Sequence, residues 1–238
     1  MKPPINFFVT GTDTEVGKTL VTGALIVKLR DAGLDAVGFK PVVAGTYLDA
    51  NGWRLNEDLE TLRIASGLAP QEISLCPYVL DEPAAPHLVA KNQGLRLDCT
   101  TILHAQKELQ SQFHSIVIEG AGGFLVPLNE SEDLGDLAQA FDFPVIVVVG
   151  MRLGCINHAL LTCEAIQSRQ LNIAGWVANT TSHKMPFFEE NLETLQERIY
   201  APFLGVVPSL PLELSKPENG PYSIGALRFA AEHIKLPD

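Results

Sequence analysis

Hydrophobic positions along the chain fall into two alternating kinds of segment. Short runs that are apolar at nearly every position, at residues 5–10, 36–42, 115–119, 144–149, 173–179 and 203–207, predict buried strands. Longer segments between them repeat apolar residues at helical spacing, as Leu20, Val21, Ala24, Leu25 and Leu29 do within 18–32. That helix is expected to stop at Gly33, a residue suited to a left-handed C-cap. Further helices are predicted over 57–66, 100–113, 133–141, 157–169, 187–199 and 223–233. Strands that are apolar on both faces and separated by helices imply a mostly parallel sheet with helices on both faces, in a single α/β domain over 1–238.

In such a sheet, ligands lie beyond the carboxyl ends of the strands. The predicted strands end at Thr10-Gly11, Lys40-Pro41, Glu119-Gly120, Gly150, Asn179-Thr180 and Pro208, so two glycine turns, a lysine, a carboxylate and an amide converge on one edge. The first of these turns opens "GTDTEVGKT". Gly11 and Gly17 are separated by five residues where the common phosphate loop has four, but the segment follows a strand and opens a helix, the context such a loop requires. Its backbone N–H groups and the helix N-terminus offer donors to phosphate oxygens. Lys18 adds a charge for the β and γ phosphates, and the Thr19 hydroxyl is placed to ligate Mg²⁺. The fold is therefore expected to be of the P-loop NTPase type. Asp58, at the start of a helix, and Glu119, closing a buried run, are candidate carboxylates for the metal; Asp58 at that place also satisfies a helix dipole. Asn179 either pairs with an adenine edge or merely ends its strand in a turn.

Composition narrows the function further. A net charge of -11 without a Lys/Arg cluster argues against nucleic-acid and anionic-membrane partners. The apolar run "INFFV" is short for a secretory signal and "PVIVVVGM" is short for a bilayer span, so the cytoplasm is expected. Four cysteines without a C-x-x-C pair or metal spacing read as reduced, mostly buried thiols.

The phosphate loop, "GFKPVVAG" at Gly38 to Gly45, "EGAGG" at Glu119 to Gly123, "LGCINHALLT" at Leu153 to Thr162 and "AGWVAN" at Ala174 to Asn179 occur in that order along nearly the whole chain. Together they resemble the dethiobiotin synthetases, ATP-dependent carboxylases of biotin biosynthesis. The resemblance implies that diaminopelargonic acid reacts at one amine with CO₂ to give a carbamate, which takes the γ-phosphoryl group of ATP before the second amine closes the ring. It assigns Lys18, Lys40 and Thr14 to catalysis, with Lys40 also pairing the carbamate. Thr19, Asp58 and Glu119 match the family's metal ligands. The nucleotide would contact Glu15, Val16, Gly17, Lys18, Thr19 and Leu20 of the loop, Asp58, the turn Glu119, Gly120, Ala121 and Gly122, and Asn179, Thr180, Pro208, Ser209, Leu210 and Glu213 around the base.

The substrate is implied to meet Thr14, Lys40 and Ala44. Its tail carboxylate would be held by Gly154, Cys155, Ile156 and Asn157 of a second subunit, making the protein a homodimer with its substrate site at the interface. A Cys155–His158 nucleophilic pair is the other reading of that segment, but no third group orients the base. Ala44 stands where the family carries a hydroxyl, so that water or Thr46 replaces its hydrogen bond, or substrate affinity is lower. The rival class with a related loop, the partitioning-type switch ATPases, characteristically carries a further lysine where this chain has Thr12, and the tail here is not basic.

Overall fold

The structure, a computed structural model, describes residues 3–49, 51–70, 73–180 and 185–237. In chain order its elements are β1 (Phe7–Gly11), α1 (Lys18–Asp31), β2 (Ala36–Phe39), β3 (Val42–Ala44), β4 (Tyr47–Leu48), β5 (Arg54–Leu55), α2 (Glu57–Ser66), β6 (Tyr78–Leu80), α3 (Pro86–Asn92), α4 (Cys99–Gln110), β7 (Ser115–Glu119), α5 (Leu134–Phe141), β8 (Val145–Gly150), α6 (Cys155–Ser168), β9 (Ile173–Asn179), α7 (Phe188–Arg198), β10 (Phe203–Val207) and α8 (Ile224–Glu232). Six strands form one parallel sheet in the order β10-β9-β8-β1-β7-β2. β1, β7 and β8 are buried along their whole length, which is why these segments read as unbroken apolar runs instead of alternating ones. α1 packs against α2 and α8, and α6 against α7.

The topology explains where a ligand can go. From β1 the chain moves out to β2, returns to β7 beside β1, and then crosses to β8 on the other side. β1 is therefore the point where the winding reverses, and the crevice beyond its carboxyl end is the natural site.

The structure departs from the sequence pattern at three places. The strand predicted over 36–42 stops at Phe39. Pro41 has no N–H for a ladder, Lys40 N donates to Leu75 O at 2.9 Å, and Val42–Ala44 pairs with β6 in a separate two-stranded sheet. The segment 86–92, for which the sequence pattern predicts no element, is a helix of seven residues that begins with its proline at the first position. The helix predicted over 157–169 also begins two residues earlier, so that Gly154 is its N-cap and Cys155, Ile156 and Asn157 form its first turn.

All four cysteines are free and buried. Burial pushes the Cys76 and Cys99 thiols up to about 12 and Cys163 up to about 11, which removes the thiolate that redox or nucleophilic chemistry needs. No helix among the described residues is long and apolar enough to cross a membrane.

The last strand is pinned by the C-terminal segment. Gly205 has φ +140°, and a Cβ there would lie 2.2 Å from His233 O, while Lys235 N donates to Leu204 O at 2.8 Å. Gly205→Ala is expected to destabilise the fold by about 2 kcal/mol or more, lowering the melting temperature by about 4–8 °C. Thermal denaturation checks this, with Gly33→Ala, whose Cβ meets nothing within 4 Å, as the milder control.

Candidate active site

A cleft of about 1080 Å³ opens at the carboxyl edge of the sheet. The loop after β1 forms its floor. Glu15 and Gly17 both adopt left-handed backbone (φ 58° and 90°), which turns the chain so that α1 begins at Lys18 with no side chain capping its first N–H groups. Such a terminus is a preformed anion cradle. Lys18 Nζ folds back to donate to Asp13 O at 2.8 Å, and Arg152, just beyond β8, makes an ion pair with the Asp13 carboxylate. Burial, together with the neighbouring charge of Lys40, pulls the Lys18 ammonium down to about 8.

At the centre of the cleft, four side chains from four segments meet. Glu119 ends β7 and is fully buried; Lys40 follows β2; Asp58 lies in the first turn of α2; Thr19 lies in the first turn of α1. Lys40 Nζ donates to Glu119 Oε1 at 2.6 Å and forms a second ion pair with Asp58. Burial opposes its charge, but the two carboxylates outweigh that and raise its pKa above the usual lysine value. Burial raises Glu119, which also feels Asp58; burial acts the same way on Asp58, but Lys40 reverses it and holds Asp58 below the ordinary range.

Thr19 Oγ1 lies 2.7 Å from Asp58 Oδ1 and 2.7 Å from Glu119 Oε1. One hydroxyl proton can serve only one of these, so one of the two contacts brings oxygen against oxygen with no Thr19 proton between them, even though Lys40 also donates to Glu119 Oε1. Glu119 Oε2 is buried with no hydrogen-bond partner among the described residues. Both observations fit a hard divalent cation. Among the described residues no three His, Cys, Asp or Glu side chains gather at a metal position, and two carboxylates with a hydroxyl are what Mg²⁺ takes when phosphates and waters complete its shell.

Asn56 explains how Asp58 is aimed. As N-cap of α2 its side chain accepts from Asp58 N at 3.0 Å and Leu59 N at 3.2 Å, and its amide donates to Gly45 O at 2.7 Å. The helix start is thus fixed to the turn after β3. This buried residue was not among those singled out from sequence, although an asparagine before "EDLE" is an N-cap signal.

The cleft gathers most of the residues chosen from sequence: Thr14, Glu15, Gly17, Lys18, Thr19, Leu20, Lys40, Ala44, Asp58, Glu119, Ala121, Gly122, Asn179, Thr180, Pro208, Ser209 and Leu210 all line it. Val16 is buried beneath the loop, and Gly120 N is bonded to Val9 O, so neither side faces the opening. Glu213 is exposed and stands apart from the lining, as does the turn Gly154 to Asn157. Thr46 is not in the lining beside Ala44 either. Sequence reasoning missed Glu57, at the first position of the predicted helix α2, and also the stretch Pro83 to His87, Lys216 and Tyr222, which line the cleft from irregular segments or a short helix that no periodicity marks.

Asn179 closes the loop from the far side. Its Nδ2 donates to Val16 O at 2.9 Å, and a Cβ on Gly17 would lie 2.0 Å from that same nitrogen. One amide N–H is thus committed to the loop, leaving the carbonyl oxygen and the other N–H.

A parallel sheet with this loop, lysine and carboxylate at the switch point defines a P-loop nucleotide-binding protein. Its fold is similar to that of the cell division ATPase MinD of Pyrococcus furiosus (TM-score 0.55, 20% identity, 97% of this chain and 96% of that one) and of the MinC:MinD complex of Aquifex aeolicus (TM-score 0.55, 14% identity, 95% and 86%). A family model described as an AAA domain matches residues 6–217. In sequence the chain is 43% identical to the ATP-dependent dethiobiotin synthetase BioD of Ralstonia nicotianae over 235 residues, covering 98% of this chain and 97% of that protein. It is 50% identical to the same enzyme of Aromatoleum aromaticum over 208 residues (87% and 92%). The chain belongs to the ATP-dependent dethiobiotin synthetase family.

Gly17→Ala tests the cradle. A methyl group at this left-handed position collides with Asn179, so Mg-ATP affinity is expected to fall at least about tenfold while the far-UV circular dichroism of the protein is unchanged; calorimetric titration measures the loss.

Proposed function

We propose that this cleft carries out the ATP-dependent synthesis of dethiobiotin from diaminopelargonic acid and CO₂, with the residue roles that follow. The observation that carries the reading is the meeting of Lys18, Lys40, Thr19, Asp58 and Glu119 in one cleft at the switch point of the sheet. The open first turn of α1 and Lys18 bind the β and γ phosphates, with Glu15, Val16 and Leu20 shaping the loop around them. Thr19, Asp58 and Glu119 hold Mg²⁺, which when bound supplies charge neutralisation to the phosphates. Asn179, Thr180, Pro208, Ser209 and Leu210 form the wall for the adenine. Ala121 and Gly122, the latter in left-handed backbone, bring this turn close to the phosphates, while Gly120 anchors it to β1 through Val9 O.

The diamine lies on the other side of Lys40, against Thr14 and Ala44. One amine nitrogen bonds to CO₂ and releases a proton, giving an anionic carbamate. Lys40, kept cationic by its carboxylate partners, pairs with that anion and with the γ-phosphoryl group that the carbamate oxygen attacks, the bond from the γ-phosphorus to the bridging oxygen breaking as ADP leaves. Charge spread over the phosphoryl oxygens in the transition state then falls between Lys18 and Lys40. The second amine attacks the activated carbonyl carbon, the C–O bond to phosphate breaks, and the cyclic urea closes. Two lysines on opposite sides of one transferring group supply the electrostatic preorganisation this needs.

The tail carboxylate of the substrate is assigned to the turn Gly154 to Asn157 of a second copy of the chain. Support comes from the uncapped start of α6 and from Leu153, which is 96% exposed immediately before it. An apolar side chain so fully presented beside an anion cradle fits a surface that a second copy covers.

Incubation with Mg-ATP, bicarbonate and diaminopelargonic acid is expected to yield dethiobiotin by mass spectrometry, in step with phosphate release; phosphate without that product would sink the proposed reaction. Lys40→Ala is expected to lower product formation by at least about a hundredfold while Mg-ATP still binds. It also leaves the fully buried Glu119 without its lysine, so a loss of about 3 kcal/mol or more in stability without ligand should accompany it, read by chemical denaturation. Sedimentation should find a dimer, and Leu153→Asp should shift it toward monomer and raise KM for the diamine more than for ATP. A wild-type monomer with full activity would remove the shared site.

A further inference from the structure

The segment after β10 reaches the cleft at two places. Pro208, Ser209 and Leu210 line it first, and beyond a single 3-10 turn at Leu212–Leu214 the chain returns to it with Ser215, Lys216 and Tyr222. Two bonds fasten this return to α2. Tyr222 N donates to Thr61 Oγ1 at 3.0 Å, and Lys216 Nζ meets Glu57 Oε1 at 2.7 Å. The Lys216 ammonium also stands 5.6 Å from the centre of the Tyr222 ring. Glu57 is the immediate neighbour of Asp58, and the charge of Lys216 is near enough to help hold Asp58 ionised.

Three lysines line the cleft among the described residues, and their commitments differ. Lys40 is 5% exposed and bound between two carboxylates. Lys18 belongs to the phosphate loop. Lys216 is 28% exposed and its partner Glu57 37%, and an ion pair so open to water contributes little to stability. Its ammonium can therefore exchange partners at small cost. A nucleotide polyphosphate is the denser anion, offers several acceptor oxygens, and forms short charge-assisted bonds with ammonium groups. The flexible four-carbon stem of lysine permits the move without displacing the backbone.

We propose that Lys216 is a further nucleotide-binding residue, which exchanges Glu57 for a phosphate oxygen of the bound nucleotide and thereby fastens the segment after β10 over it. The proposal rests on the reading of the cleft as a nucleotide site. Glu57 is then a competitor for the ammonium, not a partner in binding. That sets the two residues of one ion pair in opposite directions, which a purely structural strap would not do.

Calorimetric titration of the full chain with Mg-ATP, Mg-ADP and adenosine, without the diamine, tests it. Lys216→Ala and Lys216→Gln are expected to weaken Mg-ATP and Mg-ADP about tenfold and leave adenosine unchanged. Lys216→Arg should stay within about threefold of the parent, and Glu57→Gln should bind as tightly as the parent or more tightly. In steady state, KM for ATP should rise in Lys216→Ala with kcat and the KM for the diamine unchanged. Unaltered Mg-ATP affinity in Lys216→Ala would overturn the proposal, and so would equal weakening by Lys216→Ala and Glu57→Gln, or an equal loss for adenosine. A parent chain that binds Mg-ATP with this pattern yet makes no dethiobiotin would sink the proposed reaction and leave Lys216 in its role.

Discussion

The Glu119 carboxylate is the constraint around which the cleft is arranged. It closes a strand that is buried along its whole length, and none of it reaches solvent. A lone ionised carboxylate at such a depth would cost many kcal/mol, so charge must be brought to it. Lys40 is that charge, and it arrives from the neighbouring strand because β2 pairs with β7 in parallel and ends beside it. Asp58 then shares the same ammonium from α2, and Thr19 joins the two carboxylates from α1. One buried charge thus draws four segments to a point, and Glu119 Oε2, without a partner among the described residues, is why the arrangement suits a cation in addition to the lysine.

The phosphate loop depends on a second contact of the same kind, across the sheet. Asn179 ends β9 and holds Val16 O with one N–H, while Gly17 offers it the space a side chain would fill. The loop's shape is consequently not a property of its own sequence alone. Its left-handed residues, Glu15 and Gly17, are kept in place by a strand two positions away in the sheet, β8 lying between β1 and β9. An asparagine that serves the base of a nucleotide with its remaining polar atoms would, by the same bond, couple base binding to the geometry of the phosphate cradle.

This division also decides what was legible in the sequence. The strands over Ser115–Glu119, Ile173–Asn179 and Phe203–Val207 and the helix over Glu57–Ser66 match the pattern residue for residue, because burial on both faces or along one stripe leaves a periodic mark. The residues at their ends could then be placed on one edge before any coordinates. What escaped was held by single interactions that have no period. The break at Pro41 sends Val42–Ala44 to a partner strand far along the chain, and no local pattern encodes that partner. α3 is too short to show a stripe. Lys216 and Tyr222 come from a loop whose contacts are made only after α2 is in position.

Those unreadable pieces also shape this cleft beyond what the sheet and its first loop provide. The overall fold is similar to that of the MinD structures, at a TM-score of 0.55 and identity of 14–20%, which shows common architecture and nothing of chemistry. Here the chain leaves the sheet after Lys40, builds the small β3–β6 pair, and tethers it to α2 through the bond from Asn56 to Gly45 O. Gly45 in turn packs against Pro83, where an added Cβ would be 3.0 Å away, so the stretch Pro83 to His87 is carried to the cleft wall by the same annex. Lys40 stands at the root of this annex and Asp58 at its tether. A wall built on Lys40 and Asp58 cannot shift without moving them, so under the proposed reaction a substrate seated against it would be held in fixed relation to the phosphoryl group.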